Sequence, residues 1–235
     1  MKIATWNIER LKHKSALPEI HTVLVELNAD ILVLTETDSR IHLSKFKTCI
    51  TTPSLSELDA KTYSQTEHRV AIYTNYEVIN QFETCDNYTS LCVEVATPKG
   101  NLIIYGTIIG IYGNRNPNFK TDLLQQIADI ESLSKKGNFC FIGDYNTSFS
   151  DNYYFTNYGR IILDEAFEKN TLKLVTRNQP ECIDHIAISK SFITDKIVEI
   201  QEWNHDKKLS DHKGIAVHLK SSTVFILTYL LFYYF

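Results

Sequence analysis

Apolar positions along this chain keep two rhythms. Short runs rich in Val, Ile, Phe and Tyr recur at Ile3 to Trp6, Ile31 to Leu34, Val70 to Tyr73, Leu91 to Val95, Leu102 to Tyr105, Phe139 to Ile142, Ile183 to Ile188 and Ile215 to Leu219. Their length and their β-branched and aromatic content predict strands. Between some of them the spacing turns helical. Leu17, Ile20, Val23, Leu24 and Leu27 share one face, and Phe119, Leu123, Ile127 and Ile130 share another, which predicts two amphipathic helices. Pro18 suits a first helical turn, and Asn28-Ala29-Asp30 punctuates the end of that helix before the next strand. Asp164 to Asn170 predicts a third, shorter helix, while Thr51 to Thr62 and Thr147 to Tyr158 are polar enough for exposed loops. No repeat or low-complexity linker divides the chain, so residues 1–220 are expected to form one α/β domain and 221–235 a tail.

Composition narrows the picture only in places. A chain of 235 residues can bury a full core in one domain. The formal charge of -4 supplies no global field to gather nucleic acid, although a local basic patch remains compatible with it. Cys49, Cys85, Cys92, Cys140 and Cys182 are odd in number and contain no Cys-x-x-Cys pair, which favours a reducing compartment over a disulfide or zinc framework. No secretory signal is read at the N-terminus, so the expected location is cytoplasmic. The stretch Thr223 to Phe235 is almost wholly apolar. As a helix it would reach about 20 Å against a hydrocarbon core of roughly 30 Å, so a packed tail is preferred to a membrane anchor.

The candidate chemistry is positional. The run Ile31 to Leu34 leads into Thr35-Glu36, and Phe139 to Ile142 leads into Gly143-Asp144-Tyr145-Asn146. Each strand therefore delivers a carboxylate at its C-terminal end, the edge where ligands bind in open α/β sheets. Asn7, just past Ile3 to Trp6, obeys the same grammar. Taken alone, Gly143 to Asn146 reads as a turn. Asp184-His185 and Ser210-Asp211-His212 likewise sit at strand starts, where such residues commonly satisfy backbone donors.

As an ordered set, Thr5-Trp6-Asn7, Glu36, Gly-Asp-x-Asn at Gly143 to Asn146, Ile183-Asp184-His185 and Ser210-Asp211-His212 resemble the endonuclease/exonuclease/phosphatase family over nearly the whole chain. That resemblance implies a four-layer α/β sandwich, with two packed mixed β-sheets inside and helices outside, and a magnesium-dependent phosphoesterase activity. It implies a Mg2+ site, with Mn2+ as a substitute, at Glu36, Asn7 and Asp211. Oxygen ligands suit such a hard cation. It makes Asp144 the base for a water, Asn146 a donor to the phosphate or nucleophile, and His212 a phosphate contact oriented by Asp184. The family often carries a His or Tyr after the middle strand where this chain has Thr107. Tyr112 and Arg115 are therefore candidates for substrate contact or leaving-group support.

The partner expected is a phosphate-ester substrate, with no obligate protein partner. A nuclease acting on DNA or RNA is the first reading, with Lys61, Arg69, Arg115, Lys120, Arg160 and Arg177 as candidate backbone contacts. A phosphatase or phosphodiesterase for a small-molecule or lipid phosphate is the alternative, and a binding module without turnover is the third. The aromatic cluster Tyr153, Tyr154, Phe155 and Tyr158 reads as loop packing before base stacking.

Overall fold

The computed structural model describes residues 1–221. In chain order its strands are β1 (Lys2–Asn7), β2 (Ile31–Asp38), β3 (Thr48–Thr51), β4 (Glu67–Thr74), β5 (Glu77–Phe82), β6 (Ser90–Thr97), β7 (Gly100–Ile108), β8 (Asn138–Asp144), β9 (Leu172–Leu174), β10 (Asp184–Ser189), β11 (Lys196–Trp203) and β12 (Gly214–Ser221). Helices α1 (Leu17–Glu26), α2 (Ser56–Asp59), α3 (Phe119–Leu133), α4 (Asn157–Lys169) and α5 (Lys190–Ile193) lie between them. The strands make two six-stranded sheets, ordered β11-β12-β1-β2-β4-β3 and β5-β6-β7-β8-β10-β9.

Each sheet is mixed and carries one parallel pair at its centre, β1 with β2 and β7 with β8. A parallel pair needs a crossover, and α1 and α3 supply the two. Strand alternation then sorts the side chains. Ile3, Val33, Val70 and Ile72 from the first sheet meet Val93, Ile104, Ile142 and Ile186 from the second in a core between the sheets. Their sequence neighbours Ala4, Trp6, Leu32 and Leu34 point outward onto Ile20, Leu24 and Leu27 of the α1 region. Ile103, Tyr105, Phe139 and Phe141 point outward onto Phe119, Leu123 and Ile130 of α3 and Leu163 and Phe167 of α4. Strands buried on both faces read as continuous apolar runs, and all eight predicted runs fall on inner strands. The four-layer sandwich expected from the sequence is the observed architecture.

Several local expectations are corrected. The third helix begins at Asn157, earlier than the expected Asp164, because Thr156 Oγ1 caps it by accepting from Gly159 N at 3.0 Å. The segment Thr51 to Thr62 is not simply an exposed loop: it holds the end of β3, the short α2, and the buried Thr52 and Leu55. The apolar stretch Thr223 to Phe235 lies outside the described residues. Among those described, no helix is long and apolar enough to cross a membrane.

Candidate active site

The C-terminal ends of β1, β2, β7 and β8 border one cleft of about 260 Å³, lined by Asn7, Glu36, Ile108, Asp144, Asn146, Asp211 and His212 among others. Larger depressions of about 820 and 610 Å³ open elsewhere, but neither is lined by a buried carboxylate.

Asp144 closes β8, opposite Asp184 at the start of the antiparallel β10. Both are buried. Gly143 makes this possible: its φ is +140°, and a Cβ there would stand 2.0 Å from the Thr107 carbonyl oxygen. Asp144 Oδ1 accepts from Asn146 N at 2.8 Å, and Oδ2 accepts from Asn7 Nδ2 at 3.1 Å. Asn7 thus links the first sheet to the catalytic-looking carboxylate of the second. Its side-chain oxygen Oδ1 accepts from Glu9 N at 3.0 Å.

His212 arrives from the loop before β12. Ser210 Oγ ties that loop to β1 by donating to Asn7 O at 2.6 Å, and Trp6 Nε1 donates to His212 O at 3.0 Å. The ring then reaches across to the second sheet, where Nδ1 lies 2.6 Å from Asp184 Oδ2. Nε2 stands 4.0 Å from Asp144 Oδ2 and 3.5 Å from Asp211 Oδ1. Burial opposes charge on this ring, but Asp184 and Asp144 outweigh it and hold the imidazolium up to about 10. Burial pushes the Asp144 carboxyl up to about 7; His212 opposes, Asp184 reinforces, and the bonds from Asn146 and Asn7 oppose. Like charges at Asp144 and Asp184 are tolerable because the His212 cation lies between them.

Glu36 occupies a left-handed position in β2, with φ 44°, and its carboxylate is held by Arg69 and Arg10. Asp211 is two-thirds exposed at the rim, its amide donating to Glu9 Oε2 at 2.8 Å. The Asn146 amide donates to the carbonyls of Ile109 and Gly110 at 3.0 and 3.2 Å, so it fastens the loop after β7 beside Asp144. Tyr112 lines the cleft and is 68% exposed. Arg115 does not reach the cleft; it lines an adjoining depression with Lys120, Thr156 and Tyr158. Thr107 is buried, donating to Gln126 Oε1 at 2.7 Å, and plays no part in the cleft.

Of the cations expected to meet a substrate, Arg160 instead donates to the carbonyls of Ser148 and Asp151, and Arg177 pairs with Asp164. The Tyr154 hydroxyl accepts from Asn114 N at 3.2 Å, and the Phe155 ring packs against the Arg160 guanidinium. Sequence reasoning missed Glu9, Arg10, Tyr63 and Asn114. The first three line the cleft, and Asn114 Nδ2 donates to Asn146 O at 2.7 Å. Arg10 and Glu9 directly follow the Asn7 motif, a proximity that was the one available signal.

Buried carboxylates, an imidazole paired with them and a polar cleft between two sheets suit a hydrolase of phosphoric esters. The chain belongs to the endonuclease/exonuclease/phosphatase family, whose profile matches residues 4–212. Its fold is similar to that of the 3′ phosphatase NExo from Neisseria, in a structure bound to product DNA hairpin, at 18% identity and TM-score 0.68, covering 94% of this chain and 99% of that one. The endonuclease domain of TRAS1, a telomere-specific non-LTR retrotransposon, is similar at 15% identity and TM-score 0.66, covering 94% and 98%. Beta toxin from Staphylococcus aureus follows the same fold at 15% identity and TM-score 0.59, covering 94% and 100%. No curated protein matches the chain in sequence.

Proposed function

We propose that this chain is a magnesium-dependent nuclease, hydrolysing phosphodiester bonds in DNA or RNA. The observation that carries the reading is the row Asp184, His212, Asp144 drawn from both sheets, with His212 and Asp144 lining the cleft and Asp184 buried. His212 keeps its proton at neutral pH, and with Nδ1 engaged by Asp184 it has Nε2–H to offer a phosphate oxygen. Asp144, held on both oxygens, is positioned to orient a water and take its proton, and a carboxyl titrating near neutrality is well matched to that work. Asn7 and Asn146 are positioning residues for Asp144, through the bonds described above.

The donor set fits a hard divalent cation. Glu36, Asp211 and the Asn7 carbonyl offer oxygen only, line one polar cleft, and include no thiol; Mg2+ or Mn2+ suits such a set better than zinc. Those three residues would hold the cation, which when bound supplies charge neutralisation to the phosphate and the departing oxygen. Tyr112 at the cleft mouth is the candidate to support the leaving group. Arg115 and Lys120 in the adjoining depression, with Tyr158 beneath the Lys120 ammonium at 4.9 Å, suit a polyanionic backbone leaving the cleft. The Neisseria neighbour's product DNA favours the same substrate class.

The test is hydrolysis of plasmid DNA, abasic duplex, single-stranded RNA, inositol phosphates and sphingomyelin, with chelator, with restored Mg2+ or Mn2+, and with Glu36→Ala and Asp144→Ala. Metal-dependent nucleic-acid cleavage lost in both variants is expected. Turnover confined to small or lipid phosphates moves the function to the phosphatase branch, and no turnover by folded, metal-binding protein sinks the catalytic reading.

A further inference from the structure

Glu36, the leading cation ligand, already has two cations on it. It faces Arg69 across β2 and β4, in the register fixed by Thr35 opposite Val70 and Thr37 opposite His68. Arg69 is held twice, by Glu36 Oε1 and by the Tyr63 hydroxyl, which accepts from Nη2 at 3.2 Å. Its side chain is only 6% exposed. Arg10 is held less well. Its Nε pairs with Glu36 Oε2 at 2.5 Å without an aligned hydrogen bond, and no second side chain hydrogen-bonds it among the described residues. Its side chain is 21% exposed. Both guanidiniums lie over the ring of Tyr63, at 5.2 and 5.5 Å from its centroid.

The turn that carries Arg10 is itself a departure from ordinary backbone. Glu9, Arg10 and Leu11 have φ of 48°, 51° and 54°, a left-handed run that disfavours every residue but glycine. Such strain persists where the surroundings over-determine it. Here it sets a guanidinium in the wall of the cleft, beside Glu36 and near Asp144 and His212. Arg10 and Arg69 together outweigh the single charge of Glu36, so a divalent cation approaching that carboxylate meets two positive groups. A phosphate group in the same cleft offers Arg10 a competing partner, since the guanidinium fork matches its oxygens and Arg10, unlike Arg69, is partly exposed to the cleft.

We propose that Arg10 exchanges between Glu36 and a substrate phosphate, so that phosphate binding uncovers Glu36 for the divalent cation and the two ligands bind cooperatively. Arg69, buried and tied to Tyr63, stays as the fixed member of the pair. The proposal rests on the reading of Glu36 as a cation ligand, and by linkage the cation strengthens phosphate binding by the same factor.

The experiment is equilibrium Mn2+ binding, read from the spin-resonance signal of free Mn2+, with and without inorganic phosphate below its precipitation limit. In the wild type phosphate should tighten Mn2+ binding roughly tenfold, an ordinary size for such coupling. Arg10→Gly relieves the left-handed strain and so keeps the fold; it should bind Mn2+ roughly tenfold more tightly without phosphate and gain less than about twofold from it. Arg10→Gln, which keeps more bulk, should behave likewise. No phosphate effect in the wild type, unchanged Mn2+ affinity in both Arg10 variants, or an equal phosphate effect in all three proteins overturns the proposal. Glu36→Gln separates the two levels: if it keeps wild-type Mn2+ affinity, the assignment of Glu36 as ligand fails. If it loses Mn2+ while the Arg10 variants match wild type, only the exchange fails.

Discussion

Replacing Asp184 by asparagine removes one charge from the row that holds His212 while keeping the shape of the side chain. Asp184 is buried and makes its bond to His212 Nδ1 at 2.6 Å, and its second oxygen has no hydrogen-bond partner among the described residues. An asparagine oxygen can still accept from Nδ1–H, so the ring keeps its place. The charge–charge attraction goes, and at an effective dielectric of about 20 and a separation of about 4 Å it is worth about 4 kcal/mol, equivalent to about three pKa units. His212, now held up to about 10 against its own burial, would then titrate near neutrality and lose its proton over much of the working range. A positioned proton donor contributes about 10²- to 10⁴-fold, so Asp184→Asn should keep kcat within about twofold at about pH 6 and lose about tenfold per pH unit above neutrality, to about 10²-fold at about pH 9, with little change in KM. The assay is the pH profile of kcat and kcat/KM, with the His212 titration followed by NMR and the fold checked by thermal melting. Activity within about twofold of wild type from about pH 6 to about pH 9 would refute the role of the pair, because the perturbation reaches well past any tolerance of a catalytic imidazolium.

Two further outcomes concern stability. His185 is fully buried, and burial drives its pKa down to about 3. The Thr147 carbonyl at 3.0 Å can only accept, so Nε2 carries the proton, and Nδ1 accepts from Thr176 Oγ1 at 2.9 Å. A folded pKa below the unfolded value means that the unfolded chain binds more protons under pH 6.5, so this contribution is complete above that pH and is lost as the pH falls towards 3. Asp144, raised rather than lowered, works in the opposite direction. The readout is therefore the difference between wild type and His185→Gln in urea unfolding, which should shrink by about 1.4 kcal/mol per pH unit between about pH 6 and about pH 4. Parallel pH curves for the two proteins would show that His185 is not the neutral group described. Gly143→Ala places a Cβ 2.0 Å from the Thr107 carbonyl at a φ of +140° and should destabilise by at least about 2 kcal/mol. Unchanged urea midpoint and unchanged activity would contradict the close approach of β7 and β8.

The sequence was legible where burial was two-sided. β1, β2, β4, β6, β7, β8, β10 and β12 are inner strands, and their apolar runs announced them. The strands missed, β3, β5, β9 and β11, are the edges of both sheets. In β11 exposed and half-buried residues alternate, and β5 is mostly exposed, so neither leaves an apolar run. Edge strands are kept polar because an apolar edge invites pairing with another chain. The site divides in the same way. Residues carried at the ends of inner strands, such as Asn7, Glu36 and Asp144, could be placed from position alone. Arg69 needs the β2–β4 register, and Arg10 needs a left-handed turn without glycine, a conformation no propensity rule would assign to Glu9-Arg10-Leu11. Arg115 was near in sequence but lines a separate depression with Asn114.

The bonds that assemble the cleft are also bonds between the sheets. Asn7 of β1 donates to Asp144 of β8, and His212, tied to β1 through Ser210 and Trp6, reaches Asp184 of β10. Neither sheet alone holds Asp144 with both of its amide partners, or an imidazole with its carboxylate. The electrostatics divide along the same seam: the second sheet brings two neighbouring carboxylates that repel, and the first brings the cation that makes their proximity tolerable. Docking of the sheets and assembly of the site are thus one event, because Asp144 and Asp184 are buried with their proper partners only when the inter-sheet core is closed. That coupling gives a physical reason for placing the chemistry on the rim of a sandwich. A rim is rigid on the scale of the core beneath it, and polar groups from opposite sheets can be held there within hydrogen-bond distance while the cleft between them stays open to a substrate.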